Sequence, residues 1–144
     1  MYKHILIAAD GSELAGRAVA AGLALAKALD ARVTGVTVTE PWSAMAIGEP
    51  ALTFPIEDYE KAAAENAARI LASVAGAARD AGIACETVRV SDFPAEGIIA
   101  TAREKGCDLI VMASHGRRGL SKLILGSQAT RVLALSAVPV LICR

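Results

Sequence analysis

Residues 109–128 read LIVMASHGRRGLSKLILGSQ, and the rest of the chain falls into place outward from them. An apolar run over residues 109–112 delivers a loop of small residues, Ala113-Ser114-His115-Gly116. Nine residues, Arg117 through Leu125, then lead to Gly126 and Ser127, where a helical pattern opens. The order has a physical meaning. A buried strand brings up a loop whose bare backbone can come close to a ligand, and the first turn of the next helix carries N–H groups that favour an anion. The stretch reads as a phosphate-binding device.

Residues 4–9 repeat the theme at the start of the chain. They form a nearly continuous apolar run, as expected of a strand covered on both faces, and they end at Asp10-Gly11-Ser12. Ser12 is a good helix N-cap, and residues 13–29, rich in Ala and Leu, predict a helix stopped at Asp30. Residues 32–39, rich in Val and Thr, predict a second strand. From Glu40 to Pro55 the periodicity stops at three prolines, Gly48, Trp42 and Phe54, so this is read as a loop, either a functional flap or an incidental connection. A long helix is predicted over 56–81 with Gly82 as its stop, and a third strand over 83–90. A helix over 95–105 follows Pro94, the fourth strand is 109–112, the last helix 127–135, and the fifth strand 138–143, entered at Pro139.

Strands alternating with helices in this way predict an α/β protein: a five-stranded parallel sheet with helices on both faces. In open sheets of this kind ligands sit beyond the carboxyl ends of the strands, where strand order reverses. The loops after strand one and strand four are fit for that place if those strands are neighbours.

The chain has 144 residues, 54% of them hydrophobic, which suits a single domain spanning residues 1–144 with a core of its own. Fifteen basic residues balance fifteen acidic ones, so the overall field gives no reason to expect nucleic acid or an anionic membrane as partner, and an anion site must be local. Cys85, Cys107 and Cys143 are odd in number and lack metal-ligand spacing, as reduced core thiols would be. Neither a secretory leader nor an apolar run of about 18 residues is evident, so the expected location is cytoplasmic.

Asp10 is placed either to accept hydrogen bonds from a ribose or base, or to help cap the first helix. Ser114 and His115 invite a nucleophile-and-base reading, but adjacent loop residues seldom point at one another and no acid is evidently placed to orient the imidazole. His115 is expected instead to offer its ring or backbone N–H to a phosphate, the alternative being an exposed loop histidine. His4 is expected to be structural or at the surface. Of Arg117 and Arg118, one is expected to touch the ligand. There is no G-x-x-x-x-G-K-[ST], no G-x-G-x-x-G after the first strand, and no pair of acids stationed in the glycine loop for a metal. A nucleotide could be held here without fast turnover; no catalytic residue and no metal ligand is assigned.

Together, MASHGRRGLSKLILGS (112–127), ILIAADGS (5–12) and VPVLI (138–142) resemble the universal stress protein family over essentially the whole chain. The resemblance implies strand order 3-2-1-4-5, a Rossmann-like fold of the adenine nucleotide alpha hydrolase-like kind. It also implies a homodimer through the last strand, which starts at Val138 and ends at Cys143. The family's nucleotide-binding branch carries Gly, two residues, Gly, nine residues, then Gly followed by Ser or Thr. Gly116, Gly126 and Ser127 match, whereas Ala113 stands at the first glycine, where its methyl could crowd a ligand and a positive φ would cost about 1–2 kcal/mol.

By position, the resemblance implies that Ala9 and Asp10 contact ribose or base and that the backbone of Val38 recognises adenine. Met112 and Ala113 would line the floor, and His115, Gly116, Gly126, Ser127 and Gln128 would surround the phosphates. The implied function is a stress-response regulatory module that binds ATP or a related adenine nucleotide, with or without Mg2+, and alters the surface offered to a protein partner. Two alternatives stand beside it: a slow ATP hydrolase or phosphoryl-transfer enzyme using His115, and a nucleotide-free dimer acting through protein contacts.

Overall fold

A computed structural model describes residues 1–45, 55–116 and 124–144. The elements in chain order are β1 (His4–Ala8), α1 (Glu13–Leu29), β2 (Arg32–Thr39), α2 (Trp42–Met45), α3 (Ile56–Asp80), β3 (Cys85–Ser91), α4 (Pro94–Lys105), β4 (Leu109–Ala113), α5 (Ser127–Leu135) and β5 (Val140–Cys143). The five strands form one sheet in the order β3-β2-β1-β4-β5, every pairing parallel, with Ile5 opposite Val33 on one side and Leu109 on the other. Strands one and four are therefore neighbours, as the two-loop reading required.

Alternation within the central strands divides the core into two layers. Ile5, Ile7, Val33, Leu109 and Val111 pack towards Ala18, Leu23 and Ala26 of α1 and Ala78 of α3. Leu6, Val36, Ile110 and Met112 pack towards Ala95, Ile98 and Ala102 of α4 and Ala129 and Val132 of α5. Ile5, Leu6 and Ile7 are completely buried, each contributing about 1.5–3 kcal/mol of transfer free energy. This explains why β1 reads as a continuous apolar run: both of its faces are covered.

Local signals account for most boundaries. The Ser12 hydroxyl accepts the Ala15 N–H at 3.1 Å, opening α1 as expected, and Asp30 closes it in the left-handed conformation at φ 54°. Gly106 closes α4 in the same way at φ 68°. Several expected limits shift. The third strand is Cys85–Ser91 rather than 83–90, because Ile83 is still tied back to α3 through the carbonyl of Ala78 at 2.9 Å. The fifth strand begins at Val140 rather than 138, because Val138 turns with Ser136, whose hydroxyl donates to its carbonyl at 2.7 Å. Within the expected 40–55 loop, Trp42–Met45 forms a single helical turn, and residues 46–54 of the expected flap lie outside the described residues.

The foot of the sheet holds a buried polar relay. His4, 4% exposed, sits with Nε2 2.7 Å from Thr34 Oγ1, and the Thr34 hydroxyl donates to Glu86 Oε1 at 3.1 Å. Glu86 is paired in turn with Lys105 of α4 at 3.2 Å. His4 is thus structural, one of the two roles expected of it. Cys107 is buried, and burial pushes its thiol up to about 11, while Cys85 and Cys143 are half-buried. All three are free, and no helix among the described residues is long and apolar enough to cross a membrane.

Candidate functional site

Where β1 and β4 end side by side, a cleft of about 510 Å3 opens at the carboxyl edge of the sheet, within the range typical of small-molecule sites. Ala9, Asp10, Val38, Met112, Ala113, His115, Gly116, Gly126, Ser127 and Gln128 all line it. The turn after Ala8 and the turn after Ala113, about a hundred residues apart in sequence, share one wall because β1 and β4 are hydrogen-bonded neighbours. Arg117 and Arg118 lie outside the described residues.

One end of the cleft is apolar and carries an exposed strand edge. Even-numbered residues of β2 face β1: Arg32 donates to the carbonyl of Lys3 at 3.1 Å, and Val36 accepts from the Ala9 N–H at 2.9 Å. Odd-numbered ones face β3, as in the 2.9 Å bond from Val33 to the Ala84 carbonyl. The ladder with β1 stops at Val36, so Val38 is the first residue whose β1-facing N–H and C=O look into the cleft instead of onto a strand. Val36, Ile98, Pro94, Leu125 and Met112 surround this edge, a setting suited to a flat heteroaromatic ring with a donor and an acceptor on one side. The Tyr59 hydroxyl fixes the end of β2 by donating to the Glu40 carbonyl at 2.6 Å.

The other end is built for an anion. Helix α5 begins after Gly126, which has no side chain to cap it, and the first helical bond runs from Thr130 N–H to the Gly126 carbonyl at 3.0 Å. The N–H groups of Ser127, Gln128 and Ala129 therefore precede the ladder and point out of the helix end. Beside them lies His115, whose Nε2 is buried and has no hydrogen-bond partner among the described residues.

The Ser114–His115 expectation is corrected. Ser114 Oγ lies 3.0 Å from His115 Nδ1, so these adjacent residues do face one another. The reason is that Ser114 is anchored by its backbone on both sides: its N–H donates to the Cys143 carbonyl at 2.7 Å, and its carbonyl accepts the Gly126 N–H at 2.8 Å. With the chain pinned there, the side chain of Ser114 turns inward and is 4% exposed.

The concern over Ala113 is corrected in one respect. Ala113 is the last residue of β4, and among the described non-glycine residues Asp30 alone has a positive φ, so no left-handed penalty applies at 113. Its methyl packs with the layer under α1. Gly126 and Gly116, by contrast, answer to the protein's own packing. A Cβ on Gly126 would stand 2.6 Å from the Ser114 carbonyl oxygen, and one on Gly116 would stand 2.8 Å from Asp10 Oδ2.

Asp10 satisfies the capping reading, since its Oδ1 accepts the Ser12 N–H at 2.9 Å, and it also lines the cleft. Gln128 has a duty the sequence did not disclose: its Oε1 accepts the Ala95 N–H at 3.1 Å and so caps α4, whose N-cap residue Phe93 has no capping side chain. Sequence reasoning also missed Ala8, Ala15, Val36, Glu40, Pro94, Ile98, Leu125 and Ala129 in the lining. Val36 shares the strand phase of Val38 and was within reach of a period-two argument. Pro94 and Ile98 were not, because nothing in the sequence says which helix end closes over the strand tips. No group of three or more His, Cys, Asp or Glu fit to hold a metal occurs among the described residues.

Comparison with known proteins adds relatives along the full chain. A family model described as the universal stress protein family matches residues 1–144. The universal stress protein in the QAH/OAS sulfhydrylase 3' region of Thermus aquaticus is 37% identical, with all of both chains covered. Among solved structures, MJ0577 of Methanocaldococcus jannaschii superposes with a TM-score of 0.80 at 28% identity, covering 99% of this chain and 96% of the other. A universal stress protein in complex with cAMP superposes with a TM-score of 0.74 at 27% identity, covering 99% and 97%.

Proposed function

The chain belongs to the universal stress protein family, and from that premise we propose that it is a cytoplasmic regulatory module that binds ATP or a related adenine nucleotide in the β1–β4 cleft. The observation that carries this reading is the pairing, in one cleft, of an apolar slot edged by the backbone of Val38 beyond its ladder with β1 and of a helix N-terminus beside His115 Nε2, both without a side-chain partner among the described residues. Adenine fits the first, since its N1 accepts and its 6-amino group donates, matching the N–H and C=O of Val38. Phosphate oxygens fit the second, because amide dipoles and a ring N–H stabilise negative charge where it cannot be fully hydrated. The solved relative holding cAMP supports the class of ligand. Asp10 and Ala9 would meet the ribose, Met112 and Ala113 the floor, and Gly116, Gly126, Ser127 and Gln128 the phosphates; Mg2+, where it accompanies the nucleotide, would rest on phosphate oxygens.

Denaturing the purified protein and identifying any released nucleotide by mass spectrometry tests this directly, followed by calorimetric titration with ATP, ADP and cAMP. Carry-over of an adenine nucleotide or saturable heat is expected. Neither signal at roughly millimolar ligand, which corresponds to a binding free energy weaker than about −4 kcal/mol, rejects it.

Occupancy would be read out by a protein partner under stress, through a homodimer joined at β5. In support of the dimer, β5 is an edge strand, and Leu141 on it and Leu133 and Leu135 on α5 are exposed large hydrophobics. Light scattering after gel filtration should give twice the chain mass, and Leu141→Glu should give the monomer. The Ser114–His115 bond favours one second reading, slow phosphoryl transfer with His115 as base or nucleophile. It requires Mg2+-dependent turnover that falls in His115→Ala while binding persists.

A further inference from the structure

Two hydrogens compete for the contact between Ser114 Oγ and His115 Nδ1, and counting them decides which way it runs. A neutral imidazole carries one N–H and the hydroxyl one O–H. If Nδ1 carried the proton and donated to Ser114, the buried hydroxyl would hold a hydrogen with no acceptor among the described residues, and Nε2 would be left as a bare lone pair in a buried place. Two polar groups would then be unsatisfied. If the hydroxyl donates to Nδ1, its hydrogen is used, and a single group remains: an Nε2–H, buried and without a partner among the described residues. Buried polar groups left unpaired are costly, so the second arrangement prevails.

The ring lies against the start of α5. His115 Cδ2, the ring atom bonded to Nε2, lies 3.6 Å from the place a Cβ on Gly126 would occupy. The Cδ2 side of the ring is thus against the residue that opens α5, and His115 lines the same cleft as Ser127, Gln128 and Ala129. A phosphate seated on their amides is what the orphaned donor lacks.

We propose that Ser114 is a positioning residue: its hydroxyl holds His115 in the Nε2–H tautomer, so that the ring adds a fixed donor to the anion site at the start of α5. The role rests on the nucleotide-binding reading for its purpose, but the tautomer itself belongs to the free protein. It also sets the two functional readings apart, because an imidazole whose Nε2 carries a proton donates to phosphate and has no lone pair there to attack phosphorus or remove a proton. Ser114 keeps its backbone bonds to Cys143 and Gly126 whatever its side chain, so Ser114→Ala leaves the frame of the loop in place.

The test is a long-range proton–nitrogen correlation spectrum of the full chain, 15N-labelled at its two histidines, without nucleotide, with His115→Gln used to assign the signals. His115 is expected to show a protonated Nε2 and an unprotonated Nδ1. Ser114→Ala should give a mixture of tautomers and weaken ADP about tenfold while adenosine changes less than about twofold, and Ser114→Thr should restore both the tautomer and the ADP affinity. A protonated Nδ1 in the natural chain overturns the proposal, as does an unchanged tautomer and unchanged ADP affinity in Ser114→Ala. If neither ADP nor adenosine binds the natural chain, the nucleotide reading fails, and the spectrum still judges the tautomer on its own.

Discussion

Replacing Gly126 with alanine separates two explanations of the same glycine. One holds that Gly126 is small so that a phosphate can approach; the other, that it is small because the loop after β4 already lies against it. The added Cβ would stand 2.6 Å from the Ser114 carbonyl oxygen and 3.4 Å from His115 Cα, both backbone atoms that cannot swing aside. The backbone at 126 has φ −62° and ψ 154°, which alanine adopts freely, so the strain is steric alone. Overpacking of this kind costs about 1–3 kcal/mol. Relieving it stretches the 2.8 Å bond from Gly126 N–H to the Ser114 carbonyl, worth about 0.5–1.5 kcal/mol, while the stiffer unfolded chain returns about 0.4–1 kcal/mol. The net expectation is a loss of about 2 kcal/mol in the nucleotide-free protein, or roughly 4–8 °C in melting temperature for a chain of this size. Urea denaturation without ligand measures it. A Gly126→Ala variant as stable as the natural chain would refute the packing argument, and if its ADP affinity also fell, the glycine would be there for the ligand.

Gly116→Ala should behave differently, because its Cβ would meet Asp10 Oδ2 at 2.8 Å, the end of a side chain rather than a backbone atom. Stability should fall by less than about 1 kcal/mol in urea denaturation, with adenosine affinity falling as Asp10 is displaced. Ala113→Gly should change ADP affinity less than about threefold by calorimetry, since Ala113 sits in a strand without positive φ, and should cost about 0.5–1 kcal/mol of stability from backbone entropy. At the foot of the sheet, burial and then Arg32 hold the His4 imidazole below its ordinary value. The unfolded chain therefore binds that proton more readily, so the contribution is complete above about pH 6.5 and is lost as pH falls from there through the folded value. Urea midpoints from pH 7.5 to 5 should decline in the natural chain and decline less in His4→Gln; parallel curves would show that His4 is not the group responsible.

The legible part of the fold was the part written in local chemistry. Ser12, Asp30, Pro94 and Gly106 mark helix ends because caps and stops act through the nearest few residues, and β1 reads as doubly buried because every position in it is apolar after His4. Strand order is not local, and it came from resemblance rather than periodicity. Trp42–Met45 was missed because one turn is too short to show a period. In the site, loop residues were found by their motif, whereas Pro94 and Ile98 were not, since their part is set by how α4 crosses the strand tips. The inward turn of Ser114 was misjudged for a related reason: the general behaviour of adjacent loop residues yields once β5 and the start of α5 each hold the backbone of 114 by a hydrogen bond.

The glycine pattern and the ligand are thus less directly connected than the motif suggests. Gly126 is required by the Ser114 carbonyl around an empty cleft as much as around a full one, and Gly116 faces only the end of the Asp10 side chain. The features that discriminate are those the chain leaves unfinished: the β1-facing edge of Val38 beyond the last rung, the amides ahead of Thr130, and the lone Nε2 of His115. None of the three depends on residue 113 being glycine. A relative could keep every glycine and still lose the ligand by filling those groups with its own side chains; among the described residues of this chain, with Ala113 in a strand conformation, no side chain is bonded to them.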